Sequence, residues 1–383
     1  MAAYPGTRTG TRTGLATARP GWRPELTGTL LVQCSPAEAM PAAAVADRPG
    51  AGLVLTRRLT DRNGSAAAEA IRRLRDSGYR WPMLLDFGRY AGPVRTLASG
   101  PFSLDWIATQ RRLRLPVLTD SGYVAGDDLL GLTSILDRAR LLGDVIAVLP
   151  LHPSWLSQRG RRMYLLDRIE QAGVPVAIVL EHSKDPLGVQ GVLAGLLELL
   201  ALPVPVLLLR CDTSALGALC FGAMSAAVGT TASLRHLFPM PRTPGRPRPA
   251  DVAAVVKQCL AFVAVDRIAT ATQTDPDDPM WTCGCGTCKH RTLDWLATLE
   301  SRTVRERAAF THSVEVLLDL RDELCRPASP ADRQASWLAH LATAECRYDQ
   351  VDADTRALAR PGFVGSWLAL TAEVGLRPRA RLR

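Results

Sequence analysis

Three cysteines within six residues are the strongest chemical signal in this chain. Cys283, Cys285 and Cys288 form a C-x-C-x-x-C pattern, and the intervening glycines let the backbone turn tightly between them. Three thiols this close cannot all pair with one another, whereas thiolates and an imidazole are the ligands that a tetrahedral zinc ion prefers. His312 follows in a stretch with helical patterning and is the predicted fourth ligand. The pattern therefore predicts a structural Cys3His zinc site that closes a small subdomain.

Two alternatives to this ligand set remain open at the level of sequence. His290 is a rival fourth ligand, although it lies only two residues after Cys288, where the geometry is cramped. The three thiols could also be free or redox-active instead of metal-bound.

The charge of the chain is compatible with nucleic-acid binding. The formal net charge is +9, and almost all of the basic charge is arginine, because lysine occurs only at Lys184, Lys257 and Lys289. Guanidinium groups bind phosphate oxygens in pairs, which suits a nucleic-acid partner. Genomic base composition explains an arginine-rich and alanine-rich chain equally well, so the charge alone decides nothing.

The remaining features predict a reduced, cytoplasmic protein without a membrane segment. The six cysteines outside the cluster are scattered, mostly in apolar contexts, which is not the pattern of a disulfide scaffold. The N-terminus lacks a basic region followed by an apolar core, so no signal peptide is evident. The apolar run at 187–200 carries Gln190 and Glu198 and is too short to span a bilayer.

A series of short apolar runs predicts the elements that would position such a site. Each run has the length of a buried parallel strand, and most are separated by segments with helical periodicity. Alternation of this kind indicates an α/β fold, and eight runs predict a (β/α)8 TIM-type barrel. The alternative is an open doubly wound sheet, which is disfavoured because no glycine-rich phosphate fingerprint follows the first run. The runs are Thr29–Cys34, Gly52–Thr56, Met83–Asp86, Leu115–Asp120, Asp144–Leu149, Val174–Leu180, Val204–Arg210 and Met224–Gly229.

The same patterning predicts four regions along the chain. Residues 1–25 form an irregular N-terminal segment and residues 26–275 the barrel. Residues 276–330 form the zinc-binding subdomain, and residues 331–383 form a C-terminal helical segment with a basic tail.

The zinc motif after a barrel-like region resembles the tRNA-guanine transglycosylases. Weaker similarity is carried by Arg12-Thr13-Gly14, by Trp81–Gly88 and by Leu141–Ile146. The resemblance implies a (β/α)8 barrel with a C-terminal zinc subdomain. It also implies exchange of guanine for a 7-deazaguanine base in tRNA or, in a related branch, in DNA. Pairing through the zinc subdomain, as a homodimer or a heterodimer, follows from the same resemblance.

Several positions of this chain depart from the family pattern. The family's nucleophilic aspartate on the last strand is replaced here by Ala226 or Ala227. The base-recognition aspartate is missing, since that region reads Leu149-Pro150-Leu151-His152, and no Gly-Gly-Leu motif is visible. The chain also looks one strand-helix unit shorter between 174 and 228. In that case Leu115–Asp120 is a hairpin insertion and not a barrel strand.

Acidic residues at strand ends are the candidate catalytic groups, because base exchange needs two carboxylates. The resemblance implies that Asp86 is the acid–base residue, and Asp212 or Asp120 is the substitute nucleophile. Asp86 and Asp212 could instead be strand-end or helix caps.

Further polar residues near the strand ends are candidates for substrate binding. Glu181, with His182 beside it, stands where the family reads the base edge, and His152 lies where the recognition aspartate is missing. Tyr90 could stack on a base. Thr230 and Arg235 follow the last strand and could hold a phosphate.

Three functions remain on the sequence alone. The first is an active transglycosylase that acts on nucleic acid and binds guanine or a 7-deazapurine. The second is a catalytically silent relative that binds nucleic acid or partners an active subunit. The third is an unrelated zinc-stabilised barrel enzyme.

Overall fold

The computed structural model describes residues 23–58, 60–61, 63–93, 95–240, 251–354 and 358–373. The predicted irregular segment 1–25, apart from its last three residues, therefore lies outside the described residues. The basic tail and Arg12-Thr13-Gly14 lie outside them as well.

Seven parallel strands form one curled sheet. The sheet order is β3-β2-β1-β7-β6-β5-β4, so the first strand pairs with the last one in the series. The steps β1→β2→β3 and β4→β5→β6→β7 run in the same direction along the sheet, as they do in a barrel, and the sheet is curled into a half-barrel. The strands are β1 (Thr29–Cys34), β2 (Ala51–Thr56), β3 (Met83–Asp86), β4 (Ala147–Leu151), β5 (Val176–Leu180), β6 (Val206–Cys211) and β7 (Ser225–Gly229).

The predicted α/β class is confirmed, but a complete eight-stranded barrel is not formed by the described residues. Leu115–Asp120, predicted as a strand, contributes only a single bridge between Leu118 and Ile146, directly before β4. The reason lies in Gln110, whose side-chain oxygen accepts from Leu118 N at 2.9 Å and whose amide donates to Leu118 O at 2.9 Å. Both backbone groups that a neighbouring strand would bind are thereby satisfied locally. The sheet consequently ends at β3 on one side and β4 on the other.

Helices connect most of the strands, as the sequence predicts. They form because apolar residues recur at helical spacing. In Ser65–Asp76, for example, Ala67, Ala70, Ile71 and Leu74 are buried on one face. The helices of this part are α1 (Ala39–Val45), α2 (Ser65–Asp76), α3 (Leu104–Arg112), α4 (Leu129–Leu142), α5 (Ser154–Ser157), α6 (Arg159–Ala172), α7 (Gln190–Leu200), α8 (Ala215–Cys220) and α9 (Ala232–Arg235).

Alternate residues of the strands pack on the two faces of the curled sheet. The inner face carries its own cluster of buried side chains, to which every strand and Leu118 contribute. The outer face packs against the helices in a larger core. Inner-face members include Leu31, Val54, Leu84, Leu118, Val148, Val179, Leu209 and Ala227.

The C-terminal part packs against the outer face near the pairing of β1 with β7. Two short antiparallel pairs, β8 (Ala253–Val256) with β9 (Ala261–Ala264) and β10 (Thr282–Cys283) with β11 (Arg291–Thr292), belong to it. Its helices are α10 (Val265–Thr274), α11 (Arg302–Cys325), α12 (Pro330–Asp354) and α13 (Gly362–Glu373). Across the described ranges, no helix combines the length and apolarity needed to cross a membrane.

Candidate functional site

The four predicted metal ligands lie together. The Nδ1 atom of His312 is 3.6 Å from Cys283 Sγ, 3.5 Å from Cys285 Sγ and 3.2 Å from Cys288 Sγ. All four ligand atoms lie within 4.8 Å of one another. Zinc–sulfur bonds of about 2.3 Å in a tetrahedron place ligand atoms roughly 3.5–3.8 Å apart, so this group can hold a metal ion such as zinc.

A tight turn and a long helix bring these ligands together. Lys289 and His290 follow the last cysteine with φ angles of 54° and 62°, and His290 N donates to Cys283 O at 2.9 Å. This closes the β10–β11 hairpin around the three sulfurs. His312 comes from the middle of α11 and is fully buried. His290 is exposed and is not part of the cluster, so the rival ligand set is not the one that the fold assembles.

Neighbouring groups orient the ligands. The Nε2 atom of His312 lies 2.8 Å from Val255 O, and a hydrogen bond there directs Nδ1 towards the sulfurs. Trp295 Nε1 donates to Cys288 Sγ at 3.4 Å, and Cys288 N donates to Cys285 Sγ at 3.3 Å. Such donors stabilise thiolates. Hydrogen bonds among the three sulfurs lower the pKa of Cys283 and raise that of Cys288.

The candidate catalytic residue Asp86 is buried at the end of β3 and fully bonded. Its Oδ2 accepts from Tyr90 OH at 2.8 Å and from Gln33 Nε2 at 3.1 Å, and it lies 3.5 Å from Arg210 Nε. Its Oδ1 accepts from Gly88 N at 2.9 Å. Thr56 Oγ1 also donates to Oδ2 at 3.3 Å, so Asp86 is half of a buried ion pair with five contacting partners.

Asp120 is buried in a structural role. Its two carboxylate oxygens accept from Ser103 N at 3.0 and 3.1 Å, directly before α3. Arg89 NH1 lies 3.1 Å from Oδ2. Burial raises the pKa of Asp120, and the charge of Arg89 opposes that shift.

Glu181 is bonded in a similar way. Arg95 NH1 donates to one carboxylate oxygen, and Tyr123 OH donates to the other. The Arg95 guanidinium also lies over the Tyr123 ring, 3.6 Å from its centroid. Both carboxylate oxygens, which the resemblance assigns to base recognition, are engaged within the chain.

Asp212 is the most accessible of the four carboxylates. Its Oδ1 accepts from Thr213 N at 2.8 Å, just before α8, and its Oδ2 lies 3.6 Å from Arg235 Nε. Its side chain is 22% exposed. Arg235 in turn lies over the ring of Phe262.

The remaining predicted binding residues do not converge on one point. Tyr90 is buried in the inner-face cluster, so its ring is not open to a base. The Nδ1 atom of His152 lies 2.8 Å from Ser154 Oγ, and His182 Nδ1 bonds the backbone of Lys184. Thr230 Oγ1 donates to Gln33 O at 3.3 Å.

Two cavities open near these residues. Thr230 and Arg235 line one of about 300 Å³, largely apolar, between β1, β7 and α11. The other is a cleft of about 980 Å³ at the carboxyl ends of β1, β2, β3 and β6. Arg57, Arg58 and Arg210 line this cleft, and Asp86 lies behind Gly88 and Arg210. In α/β folds this end of the strands is where ligands bind.

Sequence reasoning identified the carboxylates but missed their partners. Every candidate carboxylate is paired with an arginine: Asp86 with Arg210, Asp120 with Arg89, Glu181 with Arg95, and Asp212 with Arg235. Of these arginines, the sequence pattern singles out Arg235 alone as a site residue. The one available signal was an arginine at or shortly after a strand end, as with Arg210 in β6 and Arg89 three residues after β3.

No protein-family model matches this chain, and no curated protein matches it either. Its function is therefore inferred from the residues and their contacts.

His236, close to Asp212 and Arg235, predicts a loss of stability in acid. Burial lowers its pKa from the ordinary 6.5, and the positive charge of Arg235 acts in the same direction. A histidine with a depressed pKa in the folded state takes up its proton more readily when unfolded. Stability is therefore present above pH 6.5 and is lost as the pH falls below it.

Thermal unfolding at pH 7.5 and pH 5.5 tests this. The loss of Tm on acidification should be smaller in His236→Gln than in the wild-type protein. His290→Asn, which removes an exposed histidine, should lose as much Tm as the wild type. Equal losses in His236→Gln and the wild type would contradict the prediction.

Proposed function

We propose that this chain is a catalytically silent relative of the tRNA-guanine transglycosylases, which binds nucleic acid without exchanging a base. The same proposal includes a complete barrel architecture and the identity of the metal. Leu118 and its neighbours occupy the fourth position of a modified (β/α)8 barrel. The metal in the Cys3His centre is zinc, whose preference for sulfur and imidazole in a tetrahedron fits the donor set.

The pairing of the strand-end carboxylates carries this proposal. Base exchange requires one carboxylate that attacks or stabilises the sugar and another that moves protons. A carboxylate that already accepts several hydrogen bonds and an ion pair is a poor nucleophile, because its charge is stabilised before any substrate arrives. Asp86, which is 2% exposed, is of this kind.

The last strand offers no replacement. Ala226 and Ala227 occupy the positions where the family's nucleophile is expected, and both are fully buried. Ala227 belongs to the apolar cluster on the inner face, where an ionised carboxylate would lack hydrogen-bond partners. Among the described residues that line the cleft, the only carboxylate is Glu38, which accepts from Ser35 N and Oγ.

Positive charge supports the nucleic-acid partner. The cleft is lined by Arg57 and Arg58, by Arg210, whose charge is paired with Asp86, and by one glutamate, Glu38. The chain as a whole has a net charge of +9. Guanidinium groups around an open cleft suit phosphate oxygens.

Exchange and binding assays test the proposal together. Labelled guanine should not be incorporated into tRNA or duplex DNA. The chain should nevertheless bind one of them with an affinity that falls as salt rises. Arg58→Gln should reduce the slope of log affinity against log salt by roughly one unit, because one fewer phosphate is neutralised. Arg140→Gln, which removes an exposed arginine at the other end of the sheet, should leave the slope unchanged.

Two outcomes would overturn the proposal. Incorporation of guanine that is abolished in Asp86→Asn would show an active transglycosylase, with Asp86 acting in proton transfer. Absence of salt-sensitive binding to either polymer would remove nucleic acid as the partner.

A further inference from the structure

We propose that the apolar cavity between β1, β7 and α11 binds an uncharged, mainly hydrocarbon small molecule of roughly two fused rings in size. This cavity lies on the outer face of the sheet, where the C-terminal part packs against it. The inference does not rest on the proposed function, because it concerns a different cavity and a different class of ligand.

The walls of the cavity come from both parts of the chain. Leu30 and Val32 of β1 and Val228 of β7 form the side of the sheet. Phe262 and Phe310, on the opposite side, are only half-buried, so part of each ring remains free to contact a ligand. Other apolar residues of that side are Val252, Ala253, Val314 and Leu318. The lining therefore offers a ligand mostly dispersion contacts and apolar surface.

The volume of the cavity sets the size of the ligand. It is about 300 Å³. An apolar cavity of about 150 Å³ takes one benzene ring, so this one takes roughly two rings or a hydrocarbon of similar bulk. A volume of this size is also at the lower end of the range found for small-molecule pockets.

The two arginines that line the cavity already have partners within the chain. Arg235 Nε lies 3.6 Å from Asp212 Oδ2, and its guanidinium lies over the Phe262 ring, 4.0 Å from the centroid. Arg302 Nε lies 2.7 Å from Glu306 Oε1. Neither arginine offers an uncompensated charge to a ligand, so the cavity lacks the cation that a buried anion would need.

The hydroxyl groups of the lining are bonded within the chain as well. Ser313 Oγ donates to Ala309 O at 2.6 Å and accepts from Val255 N at 3.1 Å. The hydroxyls of Thr230 and Thr231 each have a hydrogen-bond partner in the chain. A ligand therefore needs no polar groups to satisfy them.

The two remaining carboxylates decide against a charged ligand. Glu38 accepts from Ser35 N at 2.9 Å and from Ser35 Oγ at 2.8 Å. Asp251 is exposed, so water screens its charge and it would attract a cation only weakly. An anion would meet these two carboxylates without a free arginine, and a cation would lose its hydration without gaining a buried partner. The geometry and the charges together favour an uncharged ligand.

Titration of the full chain with three naphthalenes of the same shape tests the inference. Naphthalenemethanol is uncharged, naphthoate is negative and naphthylmethylamine is positive at neutral pH, and each carries its substituent on the same ring carbon. Naphthalenemethanol should bind with one molecule per chain, about tenfold or more tightly than either charged compound, because a charge there is desolvated without a partner. Benzyl alcohol, which has one ring fewer to bury, should bind at least about tenfold more weakly than naphthalenemethanol. No binding of naphthalenemethanol, or tighter binding of either charged compound, would overturn the proposal.

Two variants that fill the cavity locate the binding site. Ala253→Leu and Ala232→Leu each place a larger apolar side chain at a residue that lines the cavity, and each should weaken naphthalenemethanol about tenfold or more. Ala342→Leu makes the same change at an exposed position of α12 that does not line the cavity, and it should leave the affinity unchanged. Circular dichroism and Tm check that each variant is folded, and two filling variants are used so that one misfolded protein does not decide the result. Wild-type affinity in a folded filling variant, or an equal loss in Ala342→Leu, would place the ligand elsewhere and overturn the proposal.

Discussion

His312→Ala should lose its bound metal and unfold the lobe around the three cysteines. The imidazole is fully buried, and the sulfurs of Cys285 and Cys288 are nearly so. Without the metal, the three cysteines and the elements that carry them lose the ion that holds them together. Structural zinc sites of this type contribute much of the folding free energy of their lobe, so we expect a loss of at least about 3 kcal/mol in the free energy of unfolding.

Metal content and thermal unfolding measure this effect. The wild-type protein should contain one zinc per chain, and a chelator should lower its Tm. His312→Ala should contain none and should be insensitive to the chelator. Trp295, whose indole donates to Cys288 Sγ, gives a local fluorescence signal for the same event. His290→Ala is the matched control and should keep both the metal and the Tm. The reverse result for the two histidines would make His290 the ligand.

The metal site was predictable from the sequence because most of its geometry is local. The C-x-C-x-x-C spacing and its glycines determine how three sulfurs approach one point. His312 could be preferred over His290 because His290 lies only two residues after Cys288, where the geometry is too cramped for its ring to bind the same ion. The supporting contact to Val255 O could not be predicted, because β8 and α11 meet only through tertiary packing.

The strands of the sheet were also predictable from local sequence. The failure of residues 115–120 to form a strand was not. Apolar runs of strand length mark seven strands correctly, although the fourth observed strand, Ala147–Leu151, begins later than the predicted Asp144–Leu149. The run at 115–120 is as apolar as the others. It fails to form a strand because Gln110, eight residues away in sequence from Leu118, takes both of its backbone groups. A polar side chain on a preceding helix gives no periodic signal.

The arginine partners could not be predicted because their pairing is distant in sequence. Arg95 and Glu181 are separated by 86 positions, and the Arg210 hydrogen bond to Tyr90 spans 120. In a chain with so many arginines, composition does not show which of them are buried. The sequence therefore predicts that carboxylates at strand ends are catalytic. Their ion pairs with arginines are seen only in the folded structure.

Arg210→Met should destabilise the protein by about 3–5 kcal/mol, the cost typical of breaking a buried ion pair on one side. The variant leaves Asp86 buried without its cation, although Gln33, Tyr90 and Gly88 still donate to it. Asp86→Asn should cost a similar amount, because it leaves the buried guanidinium of Arg210 without its anion. The double variant should be more stable than the sum of the two single changes predicts, since each removes the partner of the other.

Urea unfolding of the four proteins gives the coupling free energy directly. Arg140→Met, at an exposed position, controls for loss of positive charge and should change stability by less than about 0.5 kcal/mol. Additive single variants would mean that Asp86 and Arg210 do not depend on each other. Asp86 would then be free to act on a substrate, and the main argument for a catalytically silent protein would fail. A strong coupling instead means that Asp86, the carboxylate best placed for proton transfer, stabilises the fold by joining β3 to β6 through Arg210.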